Sequence, residues 1–276
     1  MRILFVAYLK VRALAFWELN KLLVIKYGGH ALPEVGTADP VIEFLAKFHK
    51  NGNKFVLVHG GGPQINAELA IHGIKTEMVG GYRKTTPEVF EVVQSVLSGT
   101  VLRTLVNQFI SYGISAVGLS ASDGNLIRAK QRNTKLGLVG DVTEVNADIL
   151  SDLLDKGYLP IVSPIGVSDT GVGLNLNADL VAGAIGGALG SNEVLFMTDV
   201  AGIYRNWPDT DSLINEISSA ALNEIKASFE EGMVPKVEAV LNAIASGAKQ
   251  ARIFDGRNVL NLELALAGAA GTVITK

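Results

Sequence analysis

Two short apolar runs in this chain each end at adjacent glycines, a pattern that can bind phosphate groups. The first occupies residues 22–29 as LLVIKYGG, and the second occupies residues 55–62 as FVLVHGGG. Apolar runs of this length are typical of strands buried on both faces of a parallel sheet. Glycines after such a strand let backbone N–H groups approach a ligand, and Pro63 suits the first turn of a helix whose N-terminus attracts anions. A tight turn that binds nothing is the alternative interpretation.

Neither glycine turn matches the common nucleotide-binding motifs. A Walker A loop requires Gly-Lys-Ser/Thr at a fixed spacing, which neither stretch contains. A dinucleotide fingerprint requires a third glycine, but Ile65 occupies that position after the second turn. If these turns bind phosphate, they are expected to do so in another manner.

Lys26 is the residue of the first stretch that could take part in chemistry. A lysine in the last position of a buried strand cannot point into the apolar core without a large cost in free energy. It is therefore expected at the carboxyl edge of the sheet, beside the glycine turns. A positive charge there would stabilise a phosphoryl group during its transfer. The alternative is that its amine simply extends to solvent.

Polar residues further along the chain could complete such a site. Arg83 precedes a capped helix, where its guanidinium could bind a substrate carboxylate through two hydrogen bonds or remain on the surface. Asn175 and Asp179 flank a helix start for which Asn177 is the natural N-cap. Asp179 would either interact with the helix dipole or pair with a lysine. Lys236 precedes a later helix, at whose N-terminus the dipole disfavours a cation, and this hints at a functional reason for this lysine.

The hydrophobic pattern predicts the elements that must hold these residues. Predicted strands lie at residues 21–26, 55–58, 115–119, 159–162, 193–197, 251–254 and 272–274. Predicted helices lie at residues 40–51, 63–72, 86–112, 147–156, 178–189, 219–229, 237–246 and 260–267, with Gly99 as a weak point in the third. Residues 126–130 and 138–142 predict a β-hairpin. The alternation indicates right-handed βαβ units and a parallel sheet that continues through both halves of the chain.

Composition excludes several classes of site. The 276 residues carry a formal net charge of −3, which gives no basic footprint for nucleic acid. The absence of cysteine excludes disulfides and thiolate sites, and the four histidines show no metal-ligand spacing. Residues 1–20 include charges at Lys10 and Arg12, so they predict neither a membrane helix nor a signal peptide. Two explanations of residues 1–20 are possible: an amphipathic extension that docks on this or another subunit, or a translation start placed too far upstream.

Six motifs, in this order and spacing, resemble those of the amino acid kinase family, and of its N-acetyl-L-glutamate kinases in particular. The motifs are VIKYGG at 24–29, HGGGPQI at 59–65, GYRKTTPE at 81–88, NLNAD at 175–179, TDVAGI at 198–203 and GMVPKV at 232–237. The resemblance implies an α/β fold, a three-layer αβα sandwich around a mostly parallel sheet of the carbamate kinase-like type. It implies an N-terminal extension at 1–21 and a kinase domain at 22–276. The domain would comprise a substrate-binding lobe at 22–173 and a nucleotide-binding lobe at 174–276.

The resemblance also assigns roles to residues of these motifs. It implies that Lys26 and Lys236 stabilise the phosphoryl group in flight and that Asp179 orients both lysines. It places the amino-acid substrate on Gly28, Gly29, Gly61, Gly62, Arg83 and Asn175. It places ATP along Asp199, Val200, Ala201, Gly202, Ile203 and Tyr204, and near Gly232 and Met233. The Mg²⁺ ion would be held mainly by the nucleotide phosphates rather than by a protein site.

These implications together predict a cytoplasmic enzyme that transfers the γ-phosphoryl group of ATP to the side-chain carboxylate of N-acetyl-L-glutamate in arginine biosynthesis. A carboxylate is already nucleophilic at neutral pH, so this reaction needs no general base. Two alternatives are a kinase for aminoadipate or glutamate borne by a carrier protein, and a non-catalytic amino-acid sensor on the same fold. A carrier would require a basic docking surface, of which the sequence gives no sign, and a sensor would not need both lysines. No nucleic acid or membrane partner is predicted.

The C-terminal segment departs from the pattern of arginine-inhibited relatives. Residues 255–257 begin like the segment that those relatives share, but residues 258–271 do not continue it. We therefore expect a homodimer that L-arginine inhibits poorly. A hexamer is the alternative, because in hexameric relatives a helix before the first strand links dimers.

Overall fold

An eight-stranded sheet runs through the part of the chain that the computed structural model describes, residues 21–28, 39–229 and 233–276. The strands of the described residues are β1 Leu22–Tyr27, β2 Lys54–His59, β3 Met78–Val79, β4 Tyr82–Arg83, β5 Ala116–Ser120, β6 Ile127–Gln131, β7 Val139–Val145, β8 Leu159–Ser163, β9 Ile165–Val167, β10 Gly173–Leu176, β11 Glu193–Thr198, β12 Glu216–Ser218, β13 Ala251–Asp255 and β14 Thr272–Thr275. The large sheet has the order β12-β14-β13-β11-β1-β2-β8-β5. Its neighbouring strands are parallel except β13 and β14. The predicted mostly parallel sheet is confirmed, and it continues through both halves of the chain.

Helices cover both faces of this sheet. They are α1 Pro40–Lys50, α2 Gly62–Ile71, α3 Pro87–Gln94, α4 Leu102–Ser111, α5 Asp148–Asp155, α6 Ala178–Ala188, α7 Ser219–Ile225, α8 Val234–Ala245 and α9 Val259–Leu266. Successive strand residues point to opposite faces, so Leu23 and Ile25 join one core cluster and Val24 joins the other. The first cluster is completed by α1 to α4 and α9, and the second by α5 to α8. The result is the predicted three-layer αβα sandwich.

Side-chain caps determine where several of these helices begin. The Asp39 carboxylate accepts a hydrogen bond from the backbone of α1, and the Thr86 hydroxyl accepts one from α3. Each cap is followed by a proline in the first turn, where no backbone donor is needed. Asn177 caps α6 as predicted, because its Oδ1 accepts from the backbone N–H groups of Asp179 and Leu180.

A small closed barrel of four strands stands beside the large sheet, in the order β10-β7-β6-β9. The predicted hairpin is confirmed by the antiparallel pairing of β6 and β7. The closure of this hairpin with β9 and β10 was not predicted, because those strands have only three and four residues. The predicted lobe boundary between residues 173 and 174 falls within β10, the strand that carries Asn175.

The predicted helix at 86–112 contains a π-helical turn at Ser95–Val101 between α3 and α4. Gly99, the predicted weak point, lies in this turn. The continuous stretch Pro87–Ser111 is long and apolar enough to cross a membrane by length and composition alone. However, 56% of its most apolar segment of 18 residues is buried inside the protein. Its side chains Leu102 and Phe109 belong to the core, so the stretch is a core helix.

Candidate active site

Asp179 joins two lysines at the carboxyl edge of the large sheet. The Nζ atom of Lys26 lies 3.0 Å from Asp179 Oδ1, and the Nζ atom of Lys236 lies 3.1 Å from Oδ2. The side chains of Lys26 and Asp179 are 9% and 8% exposed, and that of Lys236 is 22% exposed. The structure thus brings together the three residues that were predicted to be catalytic. One carboxylate between two ammonium groups leaves this Lys-Asp-Lys cluster with a positive charge that an anionic ligand would balance.

The charges in the Lys-Asp-Lys cluster shift the pKa values of its members. Burial by itself would raise the pKa of the Asp179 carboxyl group, but the charges and hydrogen bonds of Lys26 and Lys236 outweigh it and lower the pKa to about 2. The Asp179 carboxylate raises the pKa of the Lys236 amine against the effect of burial, and Asp199 adds a smaller contribution. Asp179 and Lys236 are therefore both ionised at neutral pH.

Three elements place the cluster. Lys26 is the last residue but one of β1, as expected for a strand-end lysine. Asp179 lies in the first turn of α6, and its backbone N–H donates to the capping Asn177 at 2.8 Å. Lys236 lies in the first turn of α8. Its pairing with a carboxylate explains why a cation is tolerated at this helix N-terminus.

A close helix contact sets the separation of Asp179 and Lys236. A Cβ atom added to Gly183 in α6 would lie 2.5 Å from the carbonyl oxygen of Ala239 in α8. Real Cβ atoms do not approach backbone oxygens so closely, so any other residue at 183 would push the two helices apart. The cluster depends on this contact because each helix carries one member of the ion pair.

The two glycine turns contact each other beside the cluster. The backbone N–H of Gly60 donates to the carbonyl of Tyr27 at 2.8 Å. A Cβ atom added to Gly28 would lie 2.9 Å from the nitrogen of Gly60 and 3.5 Å from Cε of Lys26. The turns can therefore meet only because Gly28 lacks a side chain at this point. Gly29, the other glycine of the first turn, lies outside the described residues.

A cavity of about 190 Å³, here called the smaller cavity, opens beside the second glycine turn. Gly61, Gly62, Arg83 and Asn175, all predicted to bind the substrate, line it. A Cβ atom on Gly61 would lie 2.8 Å from the Leu97 side chain in the π-helical turn. The remaining lining residues are Gly60, Ile65, Met78, Gly81, Tyr82, Leu97, Val139, Pro164, Leu176, Asn177 and Ala178.

The guanidinium group of Arg83 is half-buried at the smaller cavity. Burial lowers the pKa of this group. Its Nη2 donates only a long hydrogen bond of 3.5 Å to the carbonyl of Gly62. Within the described ranges no carboxylate pairs with it, so this cation is suited to a carboxylate of a ligand.

Asn175 is held in place by Thr85, a residue that the sequence did not single out. The Asn175 amide donates to the Thr85 hydroxyl at 3.0 Å, and that hydroxyl donates to the carbonyl of Arg83 at 2.7 Å. Thr85 is fully buried. This chain of hydrogen bonds fixes the two predicted substrate residues relative to each other. The only sequence signal for Thr85 was its place within the GYRKTTPE motif.

A larger cavity of about 710 Å³ contains most residues that were predicted to bind the nucleotide. Asp199, Val200, Ile203, Tyr204 and Met233 line it, as does the catalytic candidate Lys236. Lining residues that the sequence did not indicate are Arg205, Asn206, Trp207, Ser228 and Phe229.

Two of the described residues that were predicted to bind the nucleotide are not among the lining residues of the larger cavity. Ala201 is exposed outside the lining, and Gly202 is buried against Thr272, whose Oγ1 would lie 2.5 Å from an added Cβ atom. Gly232 lies outside the described residues. The direct roles of these residues stay predictions. Lys26 lines neither cavity, since its amine is turned to the shared carboxylate of Asp179.

The described residues contain no group of three or more His, Cys, Asp and Glu side chains that could hold a metal ion. Asp199 is the one carboxylate that lines the larger cavity in this part of the chain, and it accepts a hydrogen bond from the Thr198 hydroxyl at 3.0 Å. Mg²⁺ commonly takes one or two carboxylates together with substrate phosphates. This donor set therefore fits a Mg²⁺ ion carried mainly by a nucleotide.

The αβα sandwich carries a Lys-Asp-Lys cluster, of which Lys236 lines one cavity, while the two residues before Asp179 line another. This combination defines a class of small-molecule kinases. The sequence profile of the amino acid kinase family matches residues 21–255, and the chain belongs to this family.

Particular members of the family are similar to this chain over most of its length. The acetylglutamate kinase of Mycolicibacterium gilvum (strain PYR-GCK) is 43% identical over 266 residues, which cover 93% of this chain and 92% of that protein. The acetylglutamate kinase of Rhodococcus jostii (strain RHA1) is 43% identical over 265 residues, which cover 93% of this chain and 86% of that protein. The resemblance that the six motifs indicated is confirmed.

Solved structures show the same fold. The protein smu.665 from Streptococcus mutans UA159 superposes with a TM-score of 0.77 at 28% identity, covering 92% of this chain and 98% of that one. The carbamate kinase from Giardia lamblia bound to AMP-PNP superposes with a TM-score of 0.65 at 22% identity, covering 93% of this chain and 99% of that one. At such low identity the carbamate kinase shows the fold alone, and it confirms the predicted carbamate kinase-like architecture.

Proposed function

We propose that this protein transfers the γ-phosphoryl group of ATP to the side-chain carboxylate of N-acetyl-L-glutamate, giving N-acetyl-L-glutamyl 5-phosphate. The observation that carries the proposal is that the Lys-Asp-Lys cluster reaches one cavity directly and lies next to the residues that line the other. Lys236 lines the larger cavity, while Asn177 and Ala178, which immediately precede Asp179, line the smaller. The relatives at 43% identity are acetylglutamate kinases, which supports this choice of acceptor.

The charges of the cluster suit phosphoryl transfer between two anions. The acceptor carboxylate is already ionised at neutral pH, so it attacks without a general base. Catalysis then consists of holding two anions in line and neutralising the charge that lies between them. Lys26 and Lys236 supply that positive charge, and Asp179 keeps the two amines in a fixed arrangement. The attack of the carboxylate on the γ-phosphorus, with ADP as the leaving group, requires no proton transfer to a base.

The smaller cavity supplies the contacts that an N-acylated dicarboxylic amino acid needs. Arg83 would bind the α-carboxylate, and Asn175 would bind the amide of the acetyl group or the same carboxylate. The backbone N–H groups at Gly61 and Gly62 begin α2, which has no side-chain cap. Their dipoles would hold the side-chain carboxylate close to the Lys-Asp-Lys cluster.

The larger cavity would bind ATP together with Mg²⁺. The phosphates would lie near Lys236 and Asp199, and Asp199 could add one oxygen ligand to a Mg²⁺ ion held by the phosphates. The ion supplies further neutralisation of phosphate charge when it is bound. The residues of this chain supply the orientation of the nucleotide and the fixed lysine charge.

A hydroxylamine trapping assay tests this function, because an acyl phosphate reacts with hydroxylamine to give a coloured hydroxamate. We expect product with MgATP and N-acetyl-L-glutamate and far less with L-glutamate, whose free amine cannot make the amide contacts. Lys236→Ala should abolish most of this product, while Lys47→Ala, which removes an exposed lysine paired within α1, should not. Equal product with both acceptors, or none with N-acetyl-L-glutamate, would overturn the assignment.

We further propose that the enzyme is a cytoplasmic homodimer that L-arginine inhibits poorly. The motivation is the sequence of residues 258–271, which departs from the pattern of arginine-inhibited relatives. Light scattering with and without residues 1–20, together with an arginine titration of activity, tests this. A hexamer that becomes a dimer on truncation, with inhibition by submillimolar arginine, would contradict it.

A further inference from the structure

Trp207 is an exposed aromatic residue at the larger cavity to which no role has been given. Its side chain is 54% exposed although it lines this cavity. Isolated exposed apolar side chains are common on protein surfaces. An indole at the wall of a cavity of about 710 Å³ is different, because a ligand in that cavity would cover it.

A second aromatic ring supports the indole. The ring centroids of Tyr204 and Trp207 lie 5.1 Å apart with an interplanar angle of 56°. Contacts of this tilted kind are favourable between aromatic rings, and they restrict the orientation of the exposed partner. The Trp207 indole is therefore positioned at the cavity wall by its neighbour, and about half of its surface remains exposed.

The larger cavity combines this aromatic pair with groups that suit the other parts of a nucleotide. Lys236 and Asp199 lie in the same cavity and suit phosphates with their metal ion. Aliphatic and aromatic walls come from Val200, Ile203 and Phe229. A ligand that fits this combination carries a flat aromatic group at one end and phosphates at the other.

We propose that the Trp207 indole stacks on the nucleobase of the bound nucleotide, and that this contact favours purine over pyrimidine nucleotides. This inference rests on the proposed use of ATP and identifies the residue that selects the base. Stacking on an aromatic side chain is available to every base, but a purine has two rings and covers more of an indole than a pyrimidine does.

Fluorescence gives a direct test, because the sequence contains only two tryptophans, Trp17 and Trp207. In the full-length Trp17→Phe variant, emission reports on Trp207 alone. We expect MgATP to quench or shift this emission. Inorganic tripolyphosphate, which has no base, should compete with ATP but leave the emission unchanged, and CTP should act only at higher concentration than ATP. Equal responses to tripolyphosphate and ATP would overturn the proposal.

Calorimetric titration of nucleotide binding provides the second readout. Trp207→Ala should weaken MgATP binding by about 10-fold, whereas Trp207→Phe, which keeps an aromatic face, should lose much less. The affinity for tripolyphosphate and the KM for N-acetyl-L-glutamate should stay unchanged in both variants. Tyr158→Ala is the matched control, since Tyr158 is an exposed aromatic residue that lines neither cavity. Unchanged ATP affinity in Trp207→Ala would overturn the proposal.

The two proposals fail in different ways. Hydroxamate formation from N-acetyl-L-glutamate without any response of Trp207 to saturating ATP refutes the stacking contact and leaves the acceptor assignment standing. A Trp207 response to ATP that tripolyphosphate does not reproduce, in a protein that forms no hydroxamate, supports the stacking contact and refutes the acceptor assignment.

Discussion

Replacing Asp179 with asparagine should destabilise the protein, because the change removes the charge that pairs with the buried Lys26 and the partly buried Lys236 and keeps the side-chain size. The pKa of Asp179 falls from an ordinary value of 3.8 to about 2 in the folded protein. A shift of this size corresponds to about 2–3 kcal/mol of favourable interaction. Removal of one partner from a buried ion pair typically costs about 3–5 kcal/mol. We therefore expect Asp179→Asn to lower the free energy of unfolding at pH 7 by about 3 kcal/mol.

The pH dependence of this loss follows from the direction of the pKa shift. The folded-state pKa of Asp179 lies below its unfolded-state pKa. Its carboxylate therefore contributes its full stabilisation of the folded state above about pH 5. Its contribution is lost as the pH falls from about 4 towards 2, where Asp179 becomes protonated in the folded protein as well. The difference in the free energy of unfolding between wild type and Asp179→Asn should accordingly stay constant from pH 5 to pH 8 and become smaller below pH 4.

Urea unfolding followed by circular dichroism at a series of pH values measures this difference. Asp155→Asn serves as the control, because Asp155 pairs with Lys54 at the surface and its side chain is 78% exposed. Exposed ion pairs contribute little to stability, so this variant should have a free energy of unfolding close to that of wild type. The reasoning is refuted if Asp179→Asn has the same free energy of unfolding as wild type at pH 7, or if its loss of stability relative to wild type grows below pH 4.

Three further predictions concern the two lysines, Arg83 and the helix contact at Gly183. Lys26→Ala and Lys236→Ala should each lower kcat by about 10²–10⁴-fold with a far smaller change in the KM for N-acetyl-L-glutamate, and near-normal kcat in both would contradict a transition-state role. Arg83→Lys keeps the charge but loses the planar fork, so steady-state kinetics should show the KM for N-acetyl-L-glutamate rising about 10-fold while that for ATP barely moves. Gly183→Ala should cost about 1–3 kcal/mol in thermal or urea unfolding, because its Cβ would meet a backbone oxygen at 2.5 Å. Gly99→Ala, where an added Cβ meets nothing within 4 Å, should be neutral or stabilising.

The sequence predicted the large sheet well because its central strands carry a strong local signal. β1 and β2 are continuous apolar runs that end at glycines, and such runs have few alternatives to a buried parallel strand. The small barrel had no such signal, since β9 and β10 are too short to show an alternation of apolar and polar residues. Their pairing depends on contacts between distant parts of the chain, which no local pattern contains.

The candidate site was predictable to the extent that its residues differ in type from their surroundings. Lys26, Asp179 and Lys236 stood out as charges beside apolar segments, and the structure brings them together. Leu97 did not stand out, because the sequence of an apolar helix does not distinguish this leucine from a core residue. Only the tertiary fold places its side chain against the glycine turn at Gly61. Trp207 lies in a polar loop whose course depends on the tertiary fold.

The π-helical turn at Ser95–Val101 makes the wall of the smaller cavity depend on the length of the chain. A π-helical turn holds more residues than an α-helical turn, and it is here that Leu97 contacts the glycine turn. Deleting one residue here would let the stretch form a regular α-helix, because a π-helical turn accommodates one extra residue within an α-helix. Leu105 and Phe109 would still face the core. The extra residue thus shapes the cavity wall at Leu97 without changing the phase of α4, so the cavity, and not the core, sets the length of this segment.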